Sequence, residues 1–416
     1  MHQTKIRNVS QIHQDLSSID VQEMLLGRAK TAVLSTAVEL LEQDMLALCG
    51  ERFARKGEHL CHRGGSEKTS LMLDGAKYAL QKPRARRGDE EVELPTLSRL
   101  QDRDLLDSQM LARIMRGTST RNYEGVIGGF AKKTGISRSS VSRAFKRASQ
   151  KDLDAKNGAD LAAYRFVGIL IDATGVGGRT VVVAVGLTED RQKIPLGLKE
   201  GDTENAGVVK DLLTSLIARN FTFAASAILA VLDGGKALRA AVKALWGDSV
   251  LIQRCWLHKL RNLRDYMPKS THGQLAWRMK KIMGLNAYSA AKAELDSMAT
   301  WLRGVSCDAE ASLLEAGDEL LTVHALGIVG TFRKVLTTTN IIESLIGISK
   351  GKARNVKNWG YHPKTGAAVK RDKTLRWVAS AIQAHRTRMY RVRAADEQIA
   401  TLIRSLNELA AKRKSA

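Results

Sequence analysis

Three β-type runs lie between Tyr164 and Glu200 and constrain the fold more than any other part of the chain. The first is a continuous apolar run over residues 166–171, which stops at Asp172. A glycine-rich turn follows, then a β-branched run over residues 180–185 and a third short run over residues 193–197. This order predicts a three-stranded meander that begins with a buried strand. We expect the rest of the chain to be organised around it.

Asp172 has two interpretations. Aspartate is common in the turns that follow strands, and taken alone the residue favours that role. A carboxylate held rigidly where a buried strand emerges also suits metal binding. Further along, a second buried run over residues 226–232 ends at Asp233, and the element order is β-β-β-α-β-α-β. If the first and fourth strands are neighbours, the two carboxylates lie side by side and repel unless a divalent cation neutralises them, which favours a metal site.

The charge balance indicates the partner. Lysine and arginine number 66 against 43 acidic residues, a net charge of +23 that suits a polyanion. A hydrophobic content of 44% predicts folded cores, and the length argues against a ribosomal protein. The sequence has no basic amphipathic anchor, no apolar run of transmembrane length and no signal-peptide core. The four cysteines form no dense framework, so we expect a cytoplasmic protein without membrane contact.

Residues 117–150 fit a helix-turn-helix. Ala131, Gly135 and Val141 have the spacing of a small residue in the first helix, a turn glycine and a buried residue in the second, which Ser137 would cap. The residues expected to face DNA are Arg138, Ser139, Ser140, Arg143, Lys146 and Arg147. Short donors mixed with cations are typical of the helix that enters the major groove. The alternative is a helical hairpin with a basic solvent-facing side; the total charge favours DNA binding.

Glu343 also admits two roles. Asn340 with Glu343 three residues later fits a capping box, which alone would explain the glutamate. A third carboxylate is also what a site built on two aspartates commonly lacks. From Ser344 to Ala416 there are 17 lysines and arginines against 4 acidic residues, and a solvated helical tail is plausible for residues 396–416. The cations expected to guide a DNA backbone beside the glutamate are Lys350, Lys352, Arg354 and Lys357.

With these residues assembled, the chain resembles the Mutator-type transposases of bacterial insertion sequences. The resemblance spans roughly residues 111–388 and rests on the order of LIDATG, GLKEGDTENAGVVKDLL, VLDGGKAL, LIQRCWLHKLRN, TTTNIIESL and KARNVKNW. It implies an α/β ribonuclease-H-like core with a mixed sheet, interrupted by a helical insertion and preceded by a mostly helical DNA-binding region. The tract after Glu343 has fewer arginines than many relatives, which leaves its DNA contacts open.

The resemblance also assigns roles. It makes Asp172, Asp233 and Glu343 the catalytic and metal-binding triad, and it matches a Cys-x-x-His element at Cys255 and His258 and the asparagine at Asn340. We interpret the Cys-x-x-His pair as structural or DNA-positioning, since no second pair lies at zinc-site spacing. Residue patterns and the resemblance together predict these domains: a helical region at 1–56, a small β-element at 57–98, a helix-turn-helix domain at 99–150, a catalytic domain at 160–258 and 337–390, a helical insertion at 259–336 and a basic helix or tail at 391–416. Residues 149–160 are expected to be a linker.

The implied reaction is phosphoryl transfer on double-stranded DNA. Two Mg²⁺ ions, for which Mn²⁺ would substitute, would be held by the three carboxylates. The enzyme would cut at the terminal inverted repeats, free 3′-OH ends and join them to target DNA, as a homodimer or higher homo-oligomer. A structure-specific nuclease of the same fold is the alternative enzyme. The non-enzymatic alternative is a domesticated DNA-binding protein or repressor, against which the presence of all three carboxylates counts.

Overall fold

The computed structural model describes residues 18–53, 59–73, 76–101, 103–118, 138–201, 206–357, 359 and 372–415. The chain divides into two compact units, residues 1–148 and residues 149–416. Within the described ranges, no helix combines the length and the apolar composition that a membrane span requires.

The first unit joins a long helix to a small antiparallel sheet. Its elements are α1 (Ser18–Cys49), β1 (His62–Leu73), β2 (Ala76–Arg87), β3 (Glu90–Val92), α2 (Pro95–Leu100) and α3 (Arg103–Met115). The helix buries Ala37, Leu41 and Met45, which recur every four residues and therefore share one face. A helix followed by a β-element is the order that the sequence predicts for residues 1–98.

Helix α4 (Arg138–Gly158) corrects the expected linker. The polar stretch over residues 149–158 continues the helix, because polar residues with good helix propensity extend it while Leu153 supplies a buried contact. Val141, Ala144 and Phe145 are buried, as the helix-turn-helix interpretation requires of its second helix. The first helix and the turn of that motif fall in residues 119–137, outside the described residues.

A six-stranded mixed sheet organises the second unit. Its strands are β4 (Arg165–Val176), β5 (Arg179–Thr188), β6 (Lys193–Gly201), β7 (Thr222–Phe223), β8 (Ile228–Leu232) and β9 (Val250–Arg254), in the order β6-β5-β4-β8-β9 with β7 paired to β4. The meander β4-β5-β6 is antiparallel, and β8 and β9 are parallel to β4. Helices α5 (Ala206–Ile217) and α6 (Lys236–Trp246) provide the crossovers that parallel strands need. The predicted element order is confirmed, except for the additional two-residue β7.

Helices cover both faces of the sheet. On one face, alternating β4 residues such as Ile169 and Ile171 pack against α5 and α6. On the other face, Val167 and Leu170 belong to a core shared with the helices that follow residue 322. Helix α5 buries residues 209, 212, 213 and 216, the spacing of a single apolar stripe.

Strand β4 does not end at Asp172, contrary to the sequence prediction. It continues to Val176, and Asp172 pairs with Val183 inside the ladder. The turn, predicted over residues 175–178, contains only Gly177 and Gly178, whose φ angles of 61° and 82° suit a two-residue hairpin. A Cβ atom on Gly177 would lie 2.3 Å from the ring of Trp359, so this position of the turn also requires a residue without a side chain. A polar side chain does not end a strand while its backbone still pairs with the neighbouring strand.

The helices after β9 divide between two cores. Those of the first group, α7 (Trp256–Asp265), α8 (His272–Gly284), α9 (Tyr288–Arg303) and α10 (Cys307–Ala316), pack around a core of their own. The indole N–H of Trp256 donates to the Leu320 carbonyl at 2.9 Å inside that core. The later helices, α11 (Thr322–Ala325), α12 (Gly330–Leu336), α13 (Asn340–Lys352), α14 (Lys373–His385) and α15 (Asp396–Ser415), contribute to the core of the sheet.

Helix α15 corrects the interpretation of the C-terminus as a solvated tail. Ile399, Leu402, Leu406 and Ala410 are buried in the core of the sheet. The Asn407 side chain accepts hydrogen bonds from the backbone and hydroxyl of Ser226, just before β8. The basic composition of this region concealed an apolar stripe at helical spacing.

Candidate active site

Asp172, His258 and Glu343 meet although each lies on a different element, β4, α7 and α13. One ligand atom from each of the three side chains lies within 4.8 Å of the others. The three side chains line a cleft of about 260 Å³, which Arg261 and Lys350 also line. Two acidic groups and an imidazole at this spacing form a site that can hold a cation, and two basic groups stand beside it.

The end of β9 places His258. The Cys255 amide donates to the Leu232 carbonyl at 2.7 Å and so extends the pairing of β9 with β8. Helix α7 then begins at Trp256, whose amide donates to the Thr337 carbonyl at 3.0 Å. Three residues after Cys255, His258 returns to the same side of the helix. The Cys-x-x-His spacing therefore turns the imidazole toward β4 and α13.

Asp172 is buried at 4% exposure, and its environment opposes its charge. Burial raises the pKa of its carboxyl to about 6; the charge of His258 opposes this shift and that of Asp233 adds to it. At neutral pH the ionised carboxylate has too little positive charge around it. A bound cation would supply that charge.

Asp233 follows β8, which pairs with β4 so that Ile171 is opposite Leu232. The two aspartates are thus the next residues in register on neighbouring strands, as the sequence predicts if these strands are adjacent. Asp233 Oδ1 accepts the Gly235 amide at 2.7 Å, and burial raises the pKa of its carboxyl. Among the described residues, Asp233 is not a member of the group within 4.8 Å; it acts on Asp172 through its charge.

Glu343 lines the cleft and forms an ion pair with Arg261. Its Oε1 accepts from Arg261 Nη1 at 2.7 Å and lies 3.8 Å from His258 Nε2. Arg261 was missed by the sequence reasoning. Its position three residues after His258 is the signal that could have found it, because both residues then project from one side of α7.

The predicted capping box at Asn340 is wrong. Asn340 is the first residue of α13, Thr339 occupies the N-cap, and neither makes a side-chain capping bond within the described part of the chain. Glu343 turns to Arg261 instead of back to the backbone. The helix starts one residue earlier than the pattern suggests, because the Thr339 carbonyl already accepts the Ile342 and Glu343 amides at 2.9 and 3.1 Å.

Cys255 and His258 form a polar pair in which His258 lines the cleft and Cys255 is buried. The hydrogen bond to Cys255 raises the pKa of His258 to about 9. Burial acts to raise the pKa of the Cys255 thiol, but hydrogen bonds from His258 and Thr339 outweigh it and lower the value. The Thr339 amide lies 3.4 Å from Cys255 Sγ, so the sulfur also joins the start of α7 to the start of α13.

The basic residues after Glu343 differ in whether they line the cleft and in how exposed they are. Lys350 lines it, seven residues after Glu343 and therefore on the same side of α13. Lys352 is half-buried, while Arg354 and Lys357 are exposed. Among the predicted DNA contacts beyond Glu343, Lys350 thus belongs to the site itself.

The predicted DNA contacts on α4 are not equivalent. Ser139, Arg143 and Lys146 are exposed and Ser140 is half-buried. The guanidinium of Arg147 donates twice to the buried Asp107 carboxylate, at 2.6 and 2.7 Å. Arg138 opens the helix, and its side chain lies outside the described residues. Arg147 thus already has a structural partner.

Fold and site define an α/β protein with a carboxylate-lined cleft beside basic side chains. The family model described as "Transposase, Mutator family" matches residues 1–384, and the chain belongs to this family of transposases. It is 25% identical to the transposase for insertion sequence element ISRM5 of Rhizobium meliloti (strain 1021) over 299 residues, 69% of this chain and 72% of that protein. It is 28% identical to the transposase for insertion sequence element IS6120 of Mycolicibacterium smegmatis over 167 residues, 39% of this chain and 50% of that protein. Membership implies an enzyme that processes DNA.

Proposed function

We propose that this transposase binds the terminal inverted repeats of its own insertion sequence, cleaves DNA to free 3′-OH ends and joins those ends to target DNA. The observation that carries the proposal is the convergence of Asp172, His258 and Glu343 in one cleft, with Asp233 next in register. The sheet order, an antiparallel meander followed by two parallel strands, supports a ribonuclease-H-like core. Acting on DNA, the enzyme would work in the bacterial cytoplasm.

The donor set fits divalent metal ions. Mg²⁺ prefers oxygen ligands, and Asp172, Asp233 and Glu343 offer carboxylates from β4, the end of β8 and α13. The raised pKa of both aspartates reflects buried negative charge that a cation would stabilise. When bound, a pair of Mg²⁺ ions would supply nucleophile activation and charge stabilisation for in-line displacement at phosphorus.

The protein's own groups would position the DNA around this site. Arg261 and Lys350 line the cleft and can attract the phosphates on either side of the scissile bond. His258 Nε2 lies toward Glu343, where it can hold a proton or a ligand position. The exposed cations of α4 would read the transposon end, as the helix-turn-helix interpretation proposes.

The test uses the full chain with a DNA duplex that carries the inverted repeat from the flanks of its gene. Cleavage and strand joining are measured in gels with Mg²⁺, with Mn²⁺ and with a chelator. We expect both reactions to require the divalent ion and the repeat. Cleavage without joining would favour the structure-specific nuclease, and binding without either reaction would favour a DNA-binding protein.

A further inference from the structure

Thr339 occupies the point where the three elements of the site meet. It is fully buried, at 0% exposure, and it is the N-cap of the helix that carries Glu343. A threonine at this position normally accepts a backbone amide of the first turn with its side chain. Its hydroxyl makes no such capping bond here, so it is available for contacts with other elements.

The hydroxyl faces the Cys-x-x-His pair. Thr339 Oγ1 lies 3.6 Å from Cys255 Sγ and 3.4 Å from His258 Nδ1. One residue therefore contacts two groups at the start of α7, while its carbonyl begins the helix of Glu343.

The two ring nitrogens of His258 face different groups. Nδ1 faces the Thr339 hydroxyl, whereas Nε2 faces Glu343 and Arg261, at 3.8 and 3.4 Å. A hydrogen bond at one imidazole nitrogen fixes the ring and leaves the other nitrogen for the site. A hydroxyl suits this role because it can donate one hydrogen bond and accept two.

We propose that Thr339 is a positioning residue, whose hydroxyl holds the His258 ring in the arrangement that receives a divalent cation beside Asp172 and Glu343. The inference rests on the proposed function, because it concerns the same cation site. It assigns Thr339 a role that the capping pattern did not, since neither the sequence spacing nor the helix terminus requires its hydroxyl.

The test compares two substitutions that separate shape from hydrogen bonding. Thr339→Val keeps the branched shape and removes the hydroxyl, and Thr339→Ser keeps the hydroxyl and removes the methyl group. Mn²⁺ binding to the full chain is measured by calorimetry, and the Mn²⁺ dependence of DNA cleavage is measured alongside. We expect Thr339→Val to weaken Mn²⁺ binding about tenfold or more and Thr339→Ser to stay within about threefold of wild type.

Thr337→Val is the matched control. Thr337 is equally buried, and its hydroxyl donates to the Arg333 carbonyl at 3.0 Å within the preceding helix. Thr337→Val should lower the melting temperature, as Thr339→Val does, but should leave the Mn²⁺ affinity unchanged. If Thr339→Val does not fold, Thr339→Ala replaces it and is judged against Thr339→Ser in the same way.

Two results would overturn the inference while leaving the proposed function intact: unchanged Mn²⁺ affinity in Thr339→Val, or equal losses in the Val and Ser variants. Failure of the proposed function looks different. In that case the wild type binds no Mn²⁺, or its binding does not depend on Asp172. The wild type and Asp172→Ala are therefore measured first.

Discussion

The cleft buries negative charge, whereas helix α4 exposes positive charge. In the cleft, Asp172, His258 and Glu343 come from positions more than eighty residues apart, and Asp172 is buried with too little positive charge around it. On α4, the cations lie within ten consecutive residues, 138–147, and Arg143 and Lys146 are exposed. Buried like charge calls for a cation, while exposed positive charge suits phosphates and base edges. Chemistry and DNA reading should therefore be separable by mutation.

The largest effect is expected in the cleft. Asp172→Ala or Asp233→Ala should abolish strand cleavage and joining, a loss of several orders of magnitude, because each removes a carboxylate from the metal site. Binding to transposon-end DNA should persist, since the basic surface is unchanged. Gel assays of cleavage and mobility-shift assays of binding measure the two properties. Asp211→Ala, an exposed aspartate on α5, is the control. Divalent-dependent cleavage by either cleft variant would reject the assignment.

Glu343→Gln tests whether this residue is a metal ligand or only the partner of Arg261. As a ligand, it should lose activity by orders of magnitude and bind Mn²⁺ more weakly. Its melting temperature should barely move, because the Arg261 side chain is 54% exposed and such ion pairs stabilise little.

Arg261→Gln is the matched variant for that test. It removes the same ion pair but leaves the carboxylate, so its Mn²⁺ affinity should not fall. Equal Mn²⁺ affinities in Glu343→Gln and Arg261→Gln would return Glu343 to a purely structural role.

On α4, two arginines four residues apart should behave differently. Arg143→Ala should weaken binding to the inverted repeat by about 1–3 kcal/mol and reduce its preference over random DNA, if Arg143 reads a base. Arg147→Ala should instead destabilise the fold by about 1–3 kcal/mol, because it leaves the buried Asp107 carboxylate without its partner. Footprinting and urea unfolding separate the two outcomes. Unchanged specificity in Arg143→Ala would make this helix structural only.

An effect of similar size is expected from pH. The pKa of Asp172 is raised in the folded protein from 3.8 to about 6, chiefly by burial. The stability that this pKa shift gives the folded protein is therefore fully present below pH 3.8, and it is lost as the pH rises through about 6. Without metal, Asp172→Asn should be more stable than wild type by about 1–3 kcal/mol at pH 7.5 and equally stable near pH 4.

Urea unfolding in a chelator at the two pH values checks this prediction. The gain should disappear when Mn²⁺ is added, because the cation stabilises the wild-type carboxylate and not the amide. A gain of the same size at both pH values would mean that the amide packs better, and would remove the electrostatic explanation.

The local patterns of the sequence determined the elements. The apolar and β-branched runs predict β4, β5 and β8, because a strand buried on both faces needs a continuous apolar run. Asp233 follows such a run, and the spacing of Val141, Ala144 and Phe145 predicts the buried side of α4. The family resemblance rests on motifs that include Asp172 and Asp233, and the match over residues 1–384 confirms it.

Only the tertiary structure decided which distant groups meet. Pairing with β5 carries β4 past Asp172, and packing under the sheet buries the apolar stripe of the basic α15. The ion pair of Arg261 with Glu343 and the contacts of Thr339 with Cys255 and His258 join residues separated by about eighty positions. No local pattern encodes such contacts, since they depend on where β9 ends once it pairs with β8 and on where α13 begins once it packs against β4.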